Sequence, residues 1–235
     1  MVRGILSSAG AMRPAMMAQS ILANNLANTS TPGFRQDRVA FRLGSPVGGA
    51  GAAGLQLPEM VTRIDASPGS YEVTERPLDL AIQGEGYFVI NTPDGDRYTR
   101  SGHFQLSNDG TLVTPQGNPV LSDGGPVVLP PDAQVMITSS GQIRDGAISY
   151  GQLQVVTFEE DPGFTHVGEG LLATDAASVT SEEARVVQGV LEGPNVKPVQ
   201  AMVDMITLLR HFEMNQRALK AQDESLGALF SWARG

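Results

Sequence analysis

The side chains that most often do chemistry are present in this chain but do not converge. Its three histidines, His103, His166 and His211, lie far apart in sequence with no metal-ligand spacing. His211 and Glu213 are two residues apart and so cannot share a helix face. Gly84-Glu85-Gly86 precedes the apolar run Tyr87-Phe88-Val89, but no helix follows and the third glycine is missing. It fails as a dinucleotide-binding turn and reads as a hairpin bend. Asp94-Gly95-Asp96 lacks the remaining ligands and the closing Glu of a calcium loop, so it reads as a turn. Glu159-Glu160-Asp161 could in principle offer paired carboxylates for acid–base work. Three adjacent acids are more simply a solvated loop. No Gly-x-Ser-x-Gly elbow is present to raise a serine nucleophile. The sequence therefore predicts no catalytic residues, no cofactor and no metal.

Composition narrows the classes further. The 235 residues include no cysteine, which excludes disulfides, thiolate metal sites and cysteine nucleophiles. A net charge of −9 without any basic run argues against nucleic acid as a partner. No stretch approaches the ~18 apolar residues of a membrane-spanning helix, so direct membrane insertion is not expected. The start is a poor secretory signal. After Arg3, its apolar stretch is diluted by Ser7, Ser8 and Gly10 and closed by Arg13-Pro14. If the protein leaves the cytoplasm, another route is expected.

The elements that would have to position any site are a β-rich middle between two helical ends. With 27 glycines and 15 prolines, the composition favours short strands joined by tight turns. Val39–Leu43 reads as a strand, and Gly44–Gly54 as a flexible Gly/Ala loop. From about Val61 to Val190, short apolar or alternating runs recur. They include Leu78–Ile82, Tyr87–Ile90, Tyr98–Ser101, Phe104–Leu106, Val127–Leu129, Gln134–Thr138, Gln142–Arg144 and Leu153–Phe158. Turns are expected at Pro93–Asp96, Asn108–Gly110 and Pro115–Pro119. The expected division is 1–35, 36–192 and 193–235.

The two ends carry the strongest pattern. Ile5, Ala9, Met12, Met16, Ala23 and Leu26 recur at steps of four and three, with Gln19 out of place. So do Met202, Met205, Leu209, Phe212, Leu219, Leu226 and Phe230, interrupted by Gln216 and Asp223. Such steps place side chains on one helix face. A lone helix cannot bury such a stripe, so each needs a partner, either the other helix or a neighbouring copy. The first helix is expected to end near Asn28, before Thr29-Ser30-Thr31-Pro32-Gly33. Pro14 either kinks it or marks its start. The second should begin at Pro198 and run to Phe230, roughly 50 Å at 1.5 Å per residue. The pattern points to assembly, with a coiled-coil-like core.

Three ordered motifs carry a resemblance. Asn24-Asn25-Leu26-Ala27-Asn28 with Thr31-Pro32-Gly33-Phe34-Arg35 resembles the N-terminal signature of bacterial flagellar axial proteins of the rod and hook. Leu80–Ile90, Tyr98–Phe104 and Gly110–Gly117 are similar to their central motif. Glu192–Val199, with Met202, Met205-Ile206, Arg210, Phe212-Glu213 and Asn215, is similar to their C-terminal motif. The chain is most like the proximal rod type, with distal rod or hook types as alternatives. The resemblance implies a structural subunit of the basal body that crosses the periplasm. It implies export through the flagellar type III apparatus without a cleaved signal, and stacking with copies of itself and other rod subunits. It places the assembly interface at the two stripes and their flanking motifs, adding Asn24, Asn25, Asn28, Gly33, Phe34, Asn195 and Val199. Outside that family, a β-rich binding module on a coiled-coil stalk would need an exposed aromatic platform. The β region offers only Tyr71, Tyr87, Tyr98 and Tyr150. A peptidoglycan hydrolase would need a constellation of acids that the sequence lacks.

Overall fold

The computed structural model describes residues 2–43, 58–130, 133–159, 162–181 and 183–232. The expected loop 44–54 and the acids Glu160 and Asp161 lie outside the described residues. The chain forms two compact units, residues 1–27, 37–63 and 197–235 in one and residues 28–36 and 64–196 in the other.

The helical unit contains α1 (Val2–Ala27), β1 (Asp37–Leu43), β2 (Pro58–Ile64) and α2 (Pro198–Trp232). β1 pairs with β2 in a two-stranded sheet, and α1 lies against both α2 and β1. The two helices thus partner each other within one chain. α1 continues through Pro14 rather than starting there. Proline removes one backbone donor, and the alanine-rich sequence on either side restores helix propensity. α2 opens with Pro198, whose missing N–H is no loss in a first turn. The Lys197 carbonyl accepts the Ala201 N–H at 2.9 Å.

The β unit is antiparallel throughout its largest sheet. β5 (Tyr87–Thr92) and β6 (Gly95–Thr99) form its central hairpin, closed by Pro93-Asp94. β14 (Val155–Thr157) and β17 (Val179–Thr180) extend it on one side. β16 (Leu171–Ala173) and β15 (Thr165–Gly168) extend it on the other. Side chains alternate across a strand, and in β5 both faces are covered. Phe88 and Ile90 enter a large core with Leu80, Ile82, Phe104, Leu112 and Val120. Tyr87 and Val89 enter a smaller one with Tyr98, Val156 and Leu172.

Smaller ladders surround this sheet. β3 (Tyr71–Val73) pairs with β19 (Val190–Glu192), and β4 (Leu80–Gln83) with β18 (Arg185–Gln188). The expected hairpin bend at Gly84–Gly86 is corrected here. β4 closes against β18 whereas β5 belongs to the six-stranded sheet, so the bend carries the chain between sheets. β7 (Gln105–Leu106) pairs with β8 (Leu112–Val113) around the expected turn at Asn108–Gly110. β9 (Leu121–Ser122) pairs with β10 (Gly125–Pro126), and β11 (Met136–Ile137), β12 (Gln142–Asp145) and β13 (Ile148–Gln152) form a three-stranded sheet.

Candidate assembly surface and the charged clasp

In the helical unit the sheltered side chains follow heptad steps that match the expected stripes only in part. On α2, Ala201 is buried and Met205, Leu208, Phe212 and Asn215 are half-buried. On α1, Ala15, Ala18 and Leu22 are half-buried and Asn25 is buried. Met205, Phe212 and Leu26 therefore sit on sheltered faces, whereas Met16, Ala23, Met202 and Leu209 face outward. Side chains of Ile5, Met12, Leu219 and Leu226 lie outside those described, although their backbones are helical.

What remains outside is apolar. Val199 is 76% exposed, Val203 and Ile206 51% each, Met202 49% and Leu209 38%. At 100° per residue, Val199, Val203 and Ile206 fall opposite the Ala201–Leu208–Phe212 face, and Met202 and Leu209 lie on its flank. α2 is thus apolar on two sides, and the second side has no cover among the described residues of its own unit. An exposed stripe of this kind marks a contact surface.

The motif residues that flank the helices make bonds within the chain. Asn25 brackets the start of β1: its Nδ2 donates to the Asp37 carbonyl at 2.8 Å, and its Oδ1 accepts the Asp37 N–H at 2.9 Å. Asn24 is exposed, while Asn28 accepts both the Thr31 N–H and the Thr31 hydroxyl at 3.1 Å.

In the β unit, residues 28–36, 65–70 and 189–196 meet in a clasp. The Gly33 N–H donates to the Glu192 carbonyl at 2.7 Å. Gly33 has φ +68°, and an added Cβ would lie 2.2 Å from the Ser101 nitrogen, so only glycine fits. Phe34 is buried and stacks on His166 with ring centroids 5.1 Å apart. Asn195 is the hub. Its Oδ1 accepts the Gln36 N–H at 2.7 Å, and its Nδ2 donates to the carbonyls of Asp65 and Ser67 at 2.9 Å each. Asp65 reciprocates by donating its N–H to the Gln36 carbonyl at 2.9 Å.

Beneath the clasp lies a trio of charges that sequence reasoning quoted inside the motifs but did not single out. The Glu192 side chain is fully buried and has the Nη2 of Arg35 at 2.7 Å and the Nη1 of Arg100 at 3.5 Å. Glu192 also accepts the Gly69 N–H at 3.0 Å. Arg100 donates to the carbonyls of Ile82 and Gly84 at 3.1 and 2.7 Å, and lies 5.3 Å from the Tyr87 ring centre. Two guanidiniums share one carboxylate. Burial holds Arg100 below its ordinary value against the pull of Glu192, and burial pushes the Tyr87 and Tyr71 hydroxyls up. No local pattern marks them: Arg35 is followed by Gln36-Asp37-Arg38, and Arg100 lies between Thr99 and Ser101.

The histidines do not meet. His103 Nδ1 lies 2.9 Å from the buried Asp79 carboxylate, His166 stacks on Phe34, and His211 is exposed on α2. Among the described residues, no three such side chains group as metal ligands.

Comparison with known proteins matches the same segments. The family described as flagella basal body rod protein matches residues 5–35. The flagellar hook protein FlgE/F/G D1 domain matches 81–145, and the C-terminal family of flagellar basal body rod FlgEFG proteins matches 187–231. The chain is 36% identical to the flagellar basal-body rod protein FlgF of Salmonella typhimurium, covering 97% of this chain and 96% of that one. It is 32% identical to the flagellar basal-body rod protein FlgG of Bacillus subtilis over the full length of both.

Proposed function

The chain belongs to the flagellar basal-body rod protein family, and from that premise we propose that it joins its neighbours through the outward faces of α1 and α2. It is a structural subunit of the flagellar basal body that assembles with other rod subunits, not an enzyme. We assign it to the proximal rod type, in the part of the shaft that crosses the periplasm. A distal rod or hook-type subunit of the same family is the second reading. Export through the flagellar type III apparatus, without a cleaved signal and without membrane insertion, completes the proposal. The division into assembly segments 1–35 and 193–235 and a central 36–192 segment belongs to the same reading.

The observation that carries it is the uncovered stripe Val199, Met202, Val203, Ile206 and Leu209 on α2. Full burial of one such side chain contributes roughly 1.5–3 kcal/mol, and these are already about half covered. Five of them therefore supply on the order of 5 kcal/mol. Association itself costs about 4–15 kcal/mol. A single contact at best barely balances that cost, whereas a subunit touching several neighbours at once is held. Such a surface favours addition to a growing end, and free copies associate where apolar burial is strengthened, as in sulfate-rich buffer. Repeated head-to-tail contacts of this kind give an open helix. The expected stripe residues Met16, Met202 and Leu209 take part from outside. Met205, Phe212 and Leu26 serve by holding the helical unit together. Asn25, Asn28, Gly33, Phe34 and Asn195 set where the terminal segments leave their turns.

The test is Met202→Asp with Ile206→Asp in the full-length chain. The variant should keep wild-type helix content by circular dichroism. A strain carrying only this allele should complete no rod and should not swim. Normal swimming with both aspartates in place would overturn the reading.

A further inference from the structure

Six of the nine methionines lie within α1 and α2, in a chain that has no cysteine. Four of them face outward: Met16 is 58% exposed, Met214 54%, Met202 49% and Met17 48%. Met205 is on the sheltered side, and Met136 stands alone in the β unit at 66% exposed. Thioethers pack adaptably against irregular apolar partners, which suits a surface that must fit more than one neighbour. They are also the side chains here that a mild oxidant converts most directly from apolar to polar.

We propose that these four outward methionines make assembly sensitive to oxidation. A peroxide would block the free subunit and spare the assembled one. This rests on the helix-face reading above. In the step itself, the thioether sulfur attacks one peroxide oxygen and forms the S–O bond as the O–O bond breaks. The remaining hydroxide leaves as water after taking up the proton that the sulfur-bound oxygen sheds. Sulfur loses two electrons and the peroxide gains them. The product sulfoxide is polar and a strong acceptor. Burying it against an apolar neighbour without a donor costs what burying the thioether had contributed. In an assembled subunit the same sulfurs are covered, so oxidant reaches them slowly. The vulnerable interval is the one before incorporation. The change is reversible by a methionine sulfoxide reductase, so blocked subunits can be returned to use.

The experiment uses the purified full-length chain in sulfate-rich buffer, where apolar burial is strengthened, with association read by sedimentation velocity. Hydrogen peroxide should oxidise Met16, Met17, Met202, Met214 and Met136 before Met205, as followed by mass spectrometry. Association should fall at least about tenfold and return on reductase treatment. Met136→Leu should leave that loss unchanged. The variant with leucine at positions 16, 17, 202 and 214 should lose nothing on oxidation, measured against its own untreated state. Wild type that associates equally well before and after oxidation overturns this inference alone. A leucine variant that loses association as wild type does would also overturn it. An untreated chain that never associates overturns both this inference and the helix-face reading beneath it.

Discussion

The β unit and the helical unit differ in what they leave uncovered. In the first, both faces of the central strand β5 are covered, the Arg35–Glu192–Arg100 trio lies inside, and the exposed apolar side chains Val73, Met136, Ile148, Val167 and Val179 stand on five different strands. In the second, Val199, Met202, Val203 and Ile206 stand about half exposed or more on a helix whose other side is already packed. One unit exposes its apolar side chains singly on separate strands, and the other gathers them along one helix. The comparison teaches where a substitution should register: as lost stability in the β unit, and as lost assembly on the outer helix faces.

The largest effect should come from Glu192→Gln. Removing the carboxylate leaves two buried guanidiniums without a counter-charge, and breaking a buried pair this way costs about 3–5 kcal/mol. Thermal unfolding of the β unit should shift down by roughly 10 °C or more. A loss below 1 kcal/mol would mean that the trio is not sealed. Gly33→Ala should follow at about 2–4 kcal/mol, because its Cβ meets the Ser101 backbone and alanine resists a left-handed φ. Asn195→Ala should cost about 2 kcal/mol by removing the acceptor of the Gln36 N–H and a donor to the Asp65 and Ser67 carbonyls. In hydrogen exchange, the Gln36 and Asp65 amides should lose protection first, with Phe88 and Ile90 unchanged. Equal loss at all four amides would show that Asn195 supports the whole unit and not the clasp alone.

Much of this architecture was legible because local rules and tertiary packing agreed. The hairpin at Pro93-Asp94, the turn at Asn108–Gly110 and the start of α2 at Pro198 follow from turn and cap chemistry that needs no distant partner. The pairings of β3 with β19 and of β4 with β18 were not legible, because each joins segments more than 100 residues apart. The trio was missed for the same reason: Arg35 and Glu192 are neighbours only after the unit closes. On the helices, the expected stripes divide: Met205, Phe212 and Leu26 are sheltered, whereas Met16, Met202 and Leu209 are exposed. A helix apolar on two sides offers two stripes of the same period, and only the packing partner decides which is inside.

That ambiguity makes Phe212 and Val203 the finest probe of the comparison, since they occupy opposite faces of one helix. Phe212 is half-buried beside Met205 and Leu208, so Phe212→Ala should destabilise the helical unit by about 1–2 kcal/mol, less than the 3–5 of a full core site. Val203 is half exposed, and lysine is the better helix former, so Val203→Lys should change stability by no more than about 0.5 kcal/mol in either direction. Urea unfolding of the full-length variants, followed at 222 nm, measures both. Assembly should rank them the other way. Val203→Lys places a charge on the outer stripe and should abolish rod completion, while Phe212→Ala should only weaken it in proportion to the lost fold. If Val203→Lys destabilises the isolated chain as much as Phe212→Ala, the outer face is already covered within the chain, and the contrast between the two units fails.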